Sequence, residues 1–167
     1  GKTASLFAGA AEMGAVIGGA EETEVQSLKA FGADVGMAFQ IIDDVLDLRA
    51  TTDATGKPSN LDLRQGTVTL PTMLYYAQTN GSEAGTQLQR VVDGADVSDE
   101  EYMSVAERIE ASGVIDEAVE TARGFVERAV GRLSFVRDPE LIGQFAAFAH
   151  LALQRTSRSP THGAARV

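Results

Sequence analysis

Asp43, Asp44 and Asp47 interrupt the otherwise apolar stretch Phe39-Gln40-Ile41-Ile42-Asp43-Asp44-Val45-Leu46-Asp47. On a helix, carboxylates at i, i+1 and i+4 project from overlapping faces, and like charges four apart weaken the helix by a few tenths of a kcal/mol. Two readings compete. The three aspartates form a solvated helix face, or they form one wall of a cation site. Ile41, Ile42, Val45 and Leu46 argue against the solvated face, because they pack the helix on either side of the charges. An EF-hand is excluded, since its glycine-centred loop spacing is absent. Hard divalent ions take carboxylate oxygens, and Mg²⁺ is commonly held by one or two carboxylates together with waters and phosphate oxygens. Three aspartates aimed into a helical bundle therefore suggest a diphosphate bound through metal.

The bulk properties fit that reading. The chain has 167 residues, a net charge of −10, 44% apolar residues and no cysteine. Such a length fits one compact domain with a sizeable core. The absence of cysteine excludes a disulfide framework and any thiolate metal site. An acidic chain is a poor candidate for binding nucleic acid or an anionic membrane, so an anionic ligand needs a cation to reverse the local sign. The apolar run Phe145 to Ala149 stops at His150, far short of the roughly 20 residues of a membrane span. No leader or span is expected, and the expected location is the cytoplasm. The sequence opens on Gly1-Lys2-Thr3, without methionine, and is read as part of something longer.

The elements that must position these residues are helices almost throughout. The pattern predicts a first helix over Thr3 to Ile17, broken at Gly18-Gly19, and a long second helix from Glu22 to Leu48. Val25, Leu28, Phe31, Val35 and Phe39 recur along the second at steps of three and four. Arg49 to Gly66 reads as a loop with Gly56, Pro58, Ser59 and Asn60 as breakers. A helix is predicted to start near Pro71 and to end before Asn80-Gly81. A short one follows over Ser82 to Val92. Ser98-Asp99-Glu100-Glu101 is a capping box opening a helix to about Ala111. Two more are predicted, over Gly113 to Val136 and from Asp138-Pro139 to about Arg155. The expected class is all-α, a helical bundle, with residues 1–155 as the domain and 156–167 as a loose tail. Gly9, Gly14, Gly32 and Gly36 fall inside predicted helices, where they either permit close packing or leave room for a bulky apolar ligand.

Other polar groups fall in order around the aspartates. Lys2-Thr3 opens the first helix, and Gln40 lies one turn before Asp44. Gly56-Lys57 follows the long helix, then Asp62, then Gly66-Thr67-Val68-Thr69-Leu70-Pro71. Singly, Lys2 and Lys57 read as surface and loop lysines, and Thr69 with Pro71 as a helix start. Together, "KTASLF" (Lys2 to Phe7), "FGADVGMAFQIIDDVLD" (Phe31 to Asp47) and "GKPSNLDLRQGTVTLP" (Gly56 to Pro71) resemble the C-terminal half of the trans-isoprenyl (polyprenyl) diphosphate synthases. The resemblance is close from Lys2 to about Ala77 and general beyond it.

The resemblance implies an isoprenoid-synthase-type bundle, here a partial one lacking its N-terminal helices. It implies a prenyltransferase of isoprenoid biosynthesis that joins isopentenyl diphosphate to an allylic diphosphate, with Mg as cofactor. By similarity, Asp43, Asp44 and Asp47 are metal ligands or water-mediated support, with Asp43 the principal one. Lys2 and Lys57 contact the allylic diphosphate. Thr3 and Gln40 line the reacting carbons, and Phe39 lies near the substrate tails. Many members carry lysine where this chain has Thr67, so no ligand role passes to Thr67. The first aspartate-rich motif and the basic cradle for isopentenyl diphosphate are not in these residues, so the chain alone is expected to be inactive. Its expected partner is a second copy, as a homodimer, or the missing N-terminal part. A terpene cyclase of the same fold and a non-catalytic subunit of a two-component synthase stand as alternatives. Leu6, Gly9 and Met13, along the face that begins at Lys2, are expected to border the growing prenyl chain.

Overall fold

A computed structural model describes residues 1–49, 60–94 and 96–155. Among these the chain forms α1 (Lys2–Ile17), α2 (Glu22–Arg49), α3 (Leu61–Arg64), α4 (Leu70–Thr79), α5 (Glu83–Val92), α6 (Asp99–Ala111), α7 (Val114–Gly131) and α8 (Pro139–Gln154). No described residue is in a strand, so the all-α class expected from the periodicity is the class observed. No described helix is long and apolar enough to cross a membrane. Residues 156–167, expected as a tail, lie outside the described residues.

Local chemistry explains most helix boundaries. Gly19, at φ 73, ends α1 in the left-handed conformation and lets the Ala20 N–H reach the Ala15 carbonyl at 3.0 Å, the closing bond of a Schellman-type cap. Ser98 and Glu101 form the expected capping box at α6, and Thr69 with Thr72 forms another at α4. Asp138 caps α8 by accepting the Glu140 N–H at 2.9 Å, with Pro139 at the first helical position.

Two expectations need correction. The stretch read as one loop from Arg49 to Gly66 contains the single-turn α3. So short a helix has no intrinsic stability in water, and it exists here through tertiary contacts, with Leu63 wholly buried. The helix predicted to reach Val136 ends at Gly131, and the chain turns where the Leu133 and Val136 N–H groups reach the carbonyls three residues back.

The described residues fall into two compact units whose boundaries lie inside α2 and α7. In the first, Gly1–Phe39 with the described residues from Arg123 onward, α2 lies against α1 through glycine. A Cβ on Gly32 would stand 2.5 Å from the Phe7 carbonyl oxygen, and one on Gly36 would stand 2.7 Å from the Ala4 Cα. Gly9 and Gly14 differ, since a Cβ there meets nothing within 4 Å. Phe31 packs edge-on against Phe145 at 5.3 Å, and Phe7 lies 5.7 Å from Phe39 and 6.4 Å from Phe148. Asp34, buried on α2, accepts two bonds on Oδ1 from Arg128 and a longer one on Oδ2 from Arg132. In the second unit, Gln40–Ala122, α3, α4 and α6 pack on α5. Ile42, Val45, Leu63, Val91, Val105 and Ile109 are among its fully enclosed side chains.

The glycine seam gives a direct test. Gly36→Ala should destabilise the chain by about 1–3 kcal/mol, the usual range for overpacking. Gly9→Ala should be neutral or stabilising by up to about 1 kcal/mol, as expected for alanine in an open helical position. Chemical denaturation of the two variants checks the contrast.

Candidate functional site

The second half of α2 carries the charges because its apolar residues anchor it. Ile41, Ile42, Val45 and Leu48 are buried, and Asp43, Asp44 and Asp47 emerge half-buried between them. The Gln40 side-chain amide, one turn earlier, donates to Asp44 Oδ1 at 2.8 Å. Asp47 accepts the Leu61 N–H on Oδ1 at 3.1 Å and the Asp62 N–H on Oδ2 at 3.0 Å. The end of α2 thus holds the start of α3 and brings Asp62, a fourth carboxylate, to the cluster. The spacing of Asp43, Asp44 and Asp47 did not point to it. Its only sequence signal is its place in the "LDLRQG" segment.

The electrostatics follow from this crowding. Asp44 is raised from its ordinary 3.8 to about 6, chiefly by burial; the Gln40 hydrogen bond pulls the other way, and Asp62, Asp43 and Asp47 push it further up. Asp62 is also raised, by burial first and then by Asp47 and Asp43. Among the described residues no three carboxylate or imidazole side chains form a ready-made metal-holding group. The donor set is hard oxygen, partly desolvated and mutually repelling. It fits a magnesium ion that takes only one or two protein carboxylates and fills its shell with waters and phosphate oxygens. It does not fit an all-protein cage.

The other expected site residues divide by position. Lys2 is exposed and Thr3 half-buried at the start of α1. Phe39 is half-buried, against Phe7 and beneath the Arg155 guanidinium at 4.4 Å from the ring centroid, a cation–π contact that the sequence did not suggest. Lys2, Thr3 and Phe39 belong to the first unit, and Gln40 with the aspartates to the second. Lys57 lies outside the described residues. Thr67 is exposed beside Gly66, whose φ of 67 and approach to the Val92 carbonyl oxygen leave no room for a side chain.

Residues 1–109 match the family described as Polyprenyl synthetase. The chain belongs to the polyprenyl synthetase family. It is 36% identical over 144 residues to a (2E,6E)-farnesyl diphosphate synthase of Mycobacterium tuberculosis, covering 84% of this chain and 40% of that protein. It is 35% identical over 133 residues to heptaprenyl diphosphate synthase component 2 of Bacillus subtilis, covering 80% of this chain and 37% of that one. A solved geranylgeranyl pyrophosphate synthase from Corynebacterium glutamicum, complexed with calcium and isoprenyl diphosphate, superposes with a TM-score of 0.74 at 30% identity. That match covers 92% of this chain and 47% of the solved one. The chain therefore spans about 40% of the length of these curated relatives. Its all-α architecture is that of polyprenyl synthetases, and the matched residues contain α1, α2 and the whole acidic cluster.

The raised Asp44 sets a pH dependence. The folded chain keeps this proton to higher pH than the unfolded chain, so folding stability is lost as pH rises from 3.8 through about 6, the reverse of a salt-bridged aspartate. Asp44→Asn removes the titration. In metal-free buffer, the variant should gain stability over the parent between about pH 4 and about pH 7, as read by urea denaturation. An equal pH response in both would contradict the burial of this carboxyl.

Proposed function

We propose that this chain contributes the second aspartate-rich wall of a trans-prenyltransferase, which condenses isopentenyl diphosphate with an allylic diphosphate. The observation that carries the proposal is the half-buried cluster of Asp43, Asp44, Asp47 and Asp62, in a chain of the polyprenyl synthetase family. The carboxylates crowd one another, and burial disfavours the anions of Asp44 and Asp62, so the site calls for positive charge. Mg²⁺ supplies that charge when bound, and with it neutralises the charge developing on the departing diphosphate. The presence of both calcium and isoprenyl diphosphate in the solved Corynebacterium glutamicum relative supports this assignment.

The residues of the chain take distinct roles. Asp43 and Asp44 hold the cation, and Asp47 supports them. Gln40 donates to Asp44, which fixes the orientation of its own carbonyl dipole. Gln40 and Thr3 are assigned to the reacting carbons, where oxygen dipoles stabilise a carbocation and steer proton loss. Lys2 and Lys57 are assigned to the allylic diphosphate, and Phe39 to the prenyl tail. The chain is inactive alone in this reading and works with a partner, either a second copy or a chain carrying the other wall. Exposed apolar residues on α1, with Leu6 at 71% and Ile17 at 87% exposure, supply surface for such a partner.

A partner-dependent role has its own support. The relative named heptaprenyl diphosphate synthase component 2 is by that name one part of a two-component enzyme. The intact aspartate cluster favours a catalytic component over a purely structural one.

Calorimetric titration with an allylic thiolodiphosphate, which resists ionisation, tests the proposal. Binding should require Mg²⁺. Asp43→Ala should weaken it at least about tenfold, the low end of what disturbing even the outer shell of a metal costs. Magnesium-independent binding, or full affinity in Asp43→Ala, would overturn the assignment.

A further inference from the structure

The connection between α4 and α5 carries the pair Asn80-Gly81, and both residues are exposed. They occupy the two central positions of a tight turn, Asn80 at φ −54 and ψ 130 and Gly81 at φ 80. These are the angles of a type II turn, whose third residue needs a positive φ and so favours glycine. The Ser82 N–H closes the turn on the Thr79 carbonyl at 2.9 Å, and the Ser82 hydroxyl donates to the same oxygen at 2.6 Å. Ser82 also caps α5, accepting the Gly85 N–H at 3.3 Å. Gly85 is packed against the same carbonyl, where a Cβ would stand 2.5 Å from the oxygen. The Thr79 carbonyl thus gathers the end of α4 and the start of α5.

We propose that Asn80-Gly81 is a site of spontaneous deamidation and backbone rearrangement, gated by the opening of this turn. It is independent of the diphosphate chemistry. The attacking group is the Gly81 nitrogen, which has no side chain to shield it, and a Cβ built on Gly81 would meet nothing within 4 Å. That nitrogen loses its proton to base and bonds to the Asn80 Cγ. The Cγ–N bond of the side-chain amide breaks, and the amide nitrogen departs as ammonia. The cyclic imide then takes up one water. Water at the side-chain carbonyl leaves aspartate at position 80. Water at the main-chain carbonyl leaves an isoaspartyl link, in which the backbone runs through Cβ and Cγ. At ψ 130 the Gly81 nitrogen lies near the Asn80 Hα and away from its Cβ, so the ring does not close within the folded turn. The Asn80-Gly81 peptide must first swing about the Cα–C bond, which parts Ser82 from the Thr79 carbonyl. The isoaspartyl product lengthens the turn by one backbone atom. It also sets a carboxylate beside the last carbonyls of α4, where negative charge is disfavoured. Ser82 then loses its place, and with it the cap of α5, on which α3 and α4 pack.

Incubation of the 167-residue chain in mildly alkaline buffer, with and without urea, followed by peptide mapping and mass spectrometry, tests the site. Position 80 should turn from amide to acid, yielding both isoaspartate and aspartate, faster as pH rises. The folded chain should react at least about tenfold more slowly than the chain in urea, the factor that a local opening of about 1.4 kcal/mol imposes. Asn80→Gln, which would have to close a larger ring, should stay unconverted at that position. In the separated isoaspartyl chain, amide exchange at Gly85 should be about tenfold faster than in the parent, the weight of one hydrogen bond. Asn80→Asp, which adds the charge without the extra atom, should shift that exchange less. Position 80 unchanged in urea, or converted to aspartate without isoaspartate, would overturn the site. Equal rates in buffer and in urea would overturn the gate. Parent-like exchange at Gly85 in the isoaspartyl chain would overturn the loss of the cap.

Discussion

Like-charge crowding in a partly dry setting is the constraint from which the rest of the second unit follows. Carboxylates on neighbouring turns of α2 are kept close by the burial of Ile41, Ile42, Val45 and Leu48. The apolar anchors fix the helix, and the charges come along with them. Several responses to the crowding are visible together. Asp44 holds its proton to about pH 6 and takes a hydrogen bond from Gln40. Asp47 spends its oxygens on backbone donors. Each is a way of tolerating negative charge without water, and a bound cation would be another.

The first unit rests on a different device. Gly32 and Gly36 bring α2 to within contact of the α1 backbone, and the aromatic rings of Phe7, Phe31, Phe145 and Phe148 gather around that seam. A cavity of about 500 Å³ lies among them, lined almost entirely by apolar side chains. The buried charge among the described residues there, Asp34, is matched by Arg128 of α7 and by Arg132, just past the end of that helix. Close packing thus accounts for two of the four glycines inside α1 and α2. Gly9 and Gly14 face open space, and nothing in their surroundings requires the absence of a side chain.

What the sequence discloses depends on how local each cause is. Caps are local, so Ser98 with Glu101, Asp138-Pro139 and Gly18-Gly19 mark helix ends within a residue or so. The aspartates were legible because their spacing within one helix is enough to bring them together. The single turn of α3 was not, since four residues have no periodicity and owe their conformation to Leu63, Asp47 and Arg64. Asp62 was noted in its place after Lys57 but not as a member of the cluster, because its neighbourhood is made by a bond spanning 15 residues. The end of α7 at Gly131 was missed because Arg132 to Val136 keep a helix-compatible pattern, and only the tighter turn bonds there reveal the break. The family, by contrast, was legible from separated motifs agreeing in order and distance.

The bonds from Asp47 to Leu61 and Asp62 also bear on how this part of the chain can change over evolutionary time. They join the end of α2 to the start of α3. The entropy of closing such a span grows only logarithmically with its length, and doubling it costs about 0.6 kcal/mol. A change in the number of residues between Arg49 and Asn60 therefore carries a small closure cost while Asp47 keeps its two bonds. Variation in length that keeps Lys57 would then leave the start of α3 held by Asp47 and the acidic cluster in place.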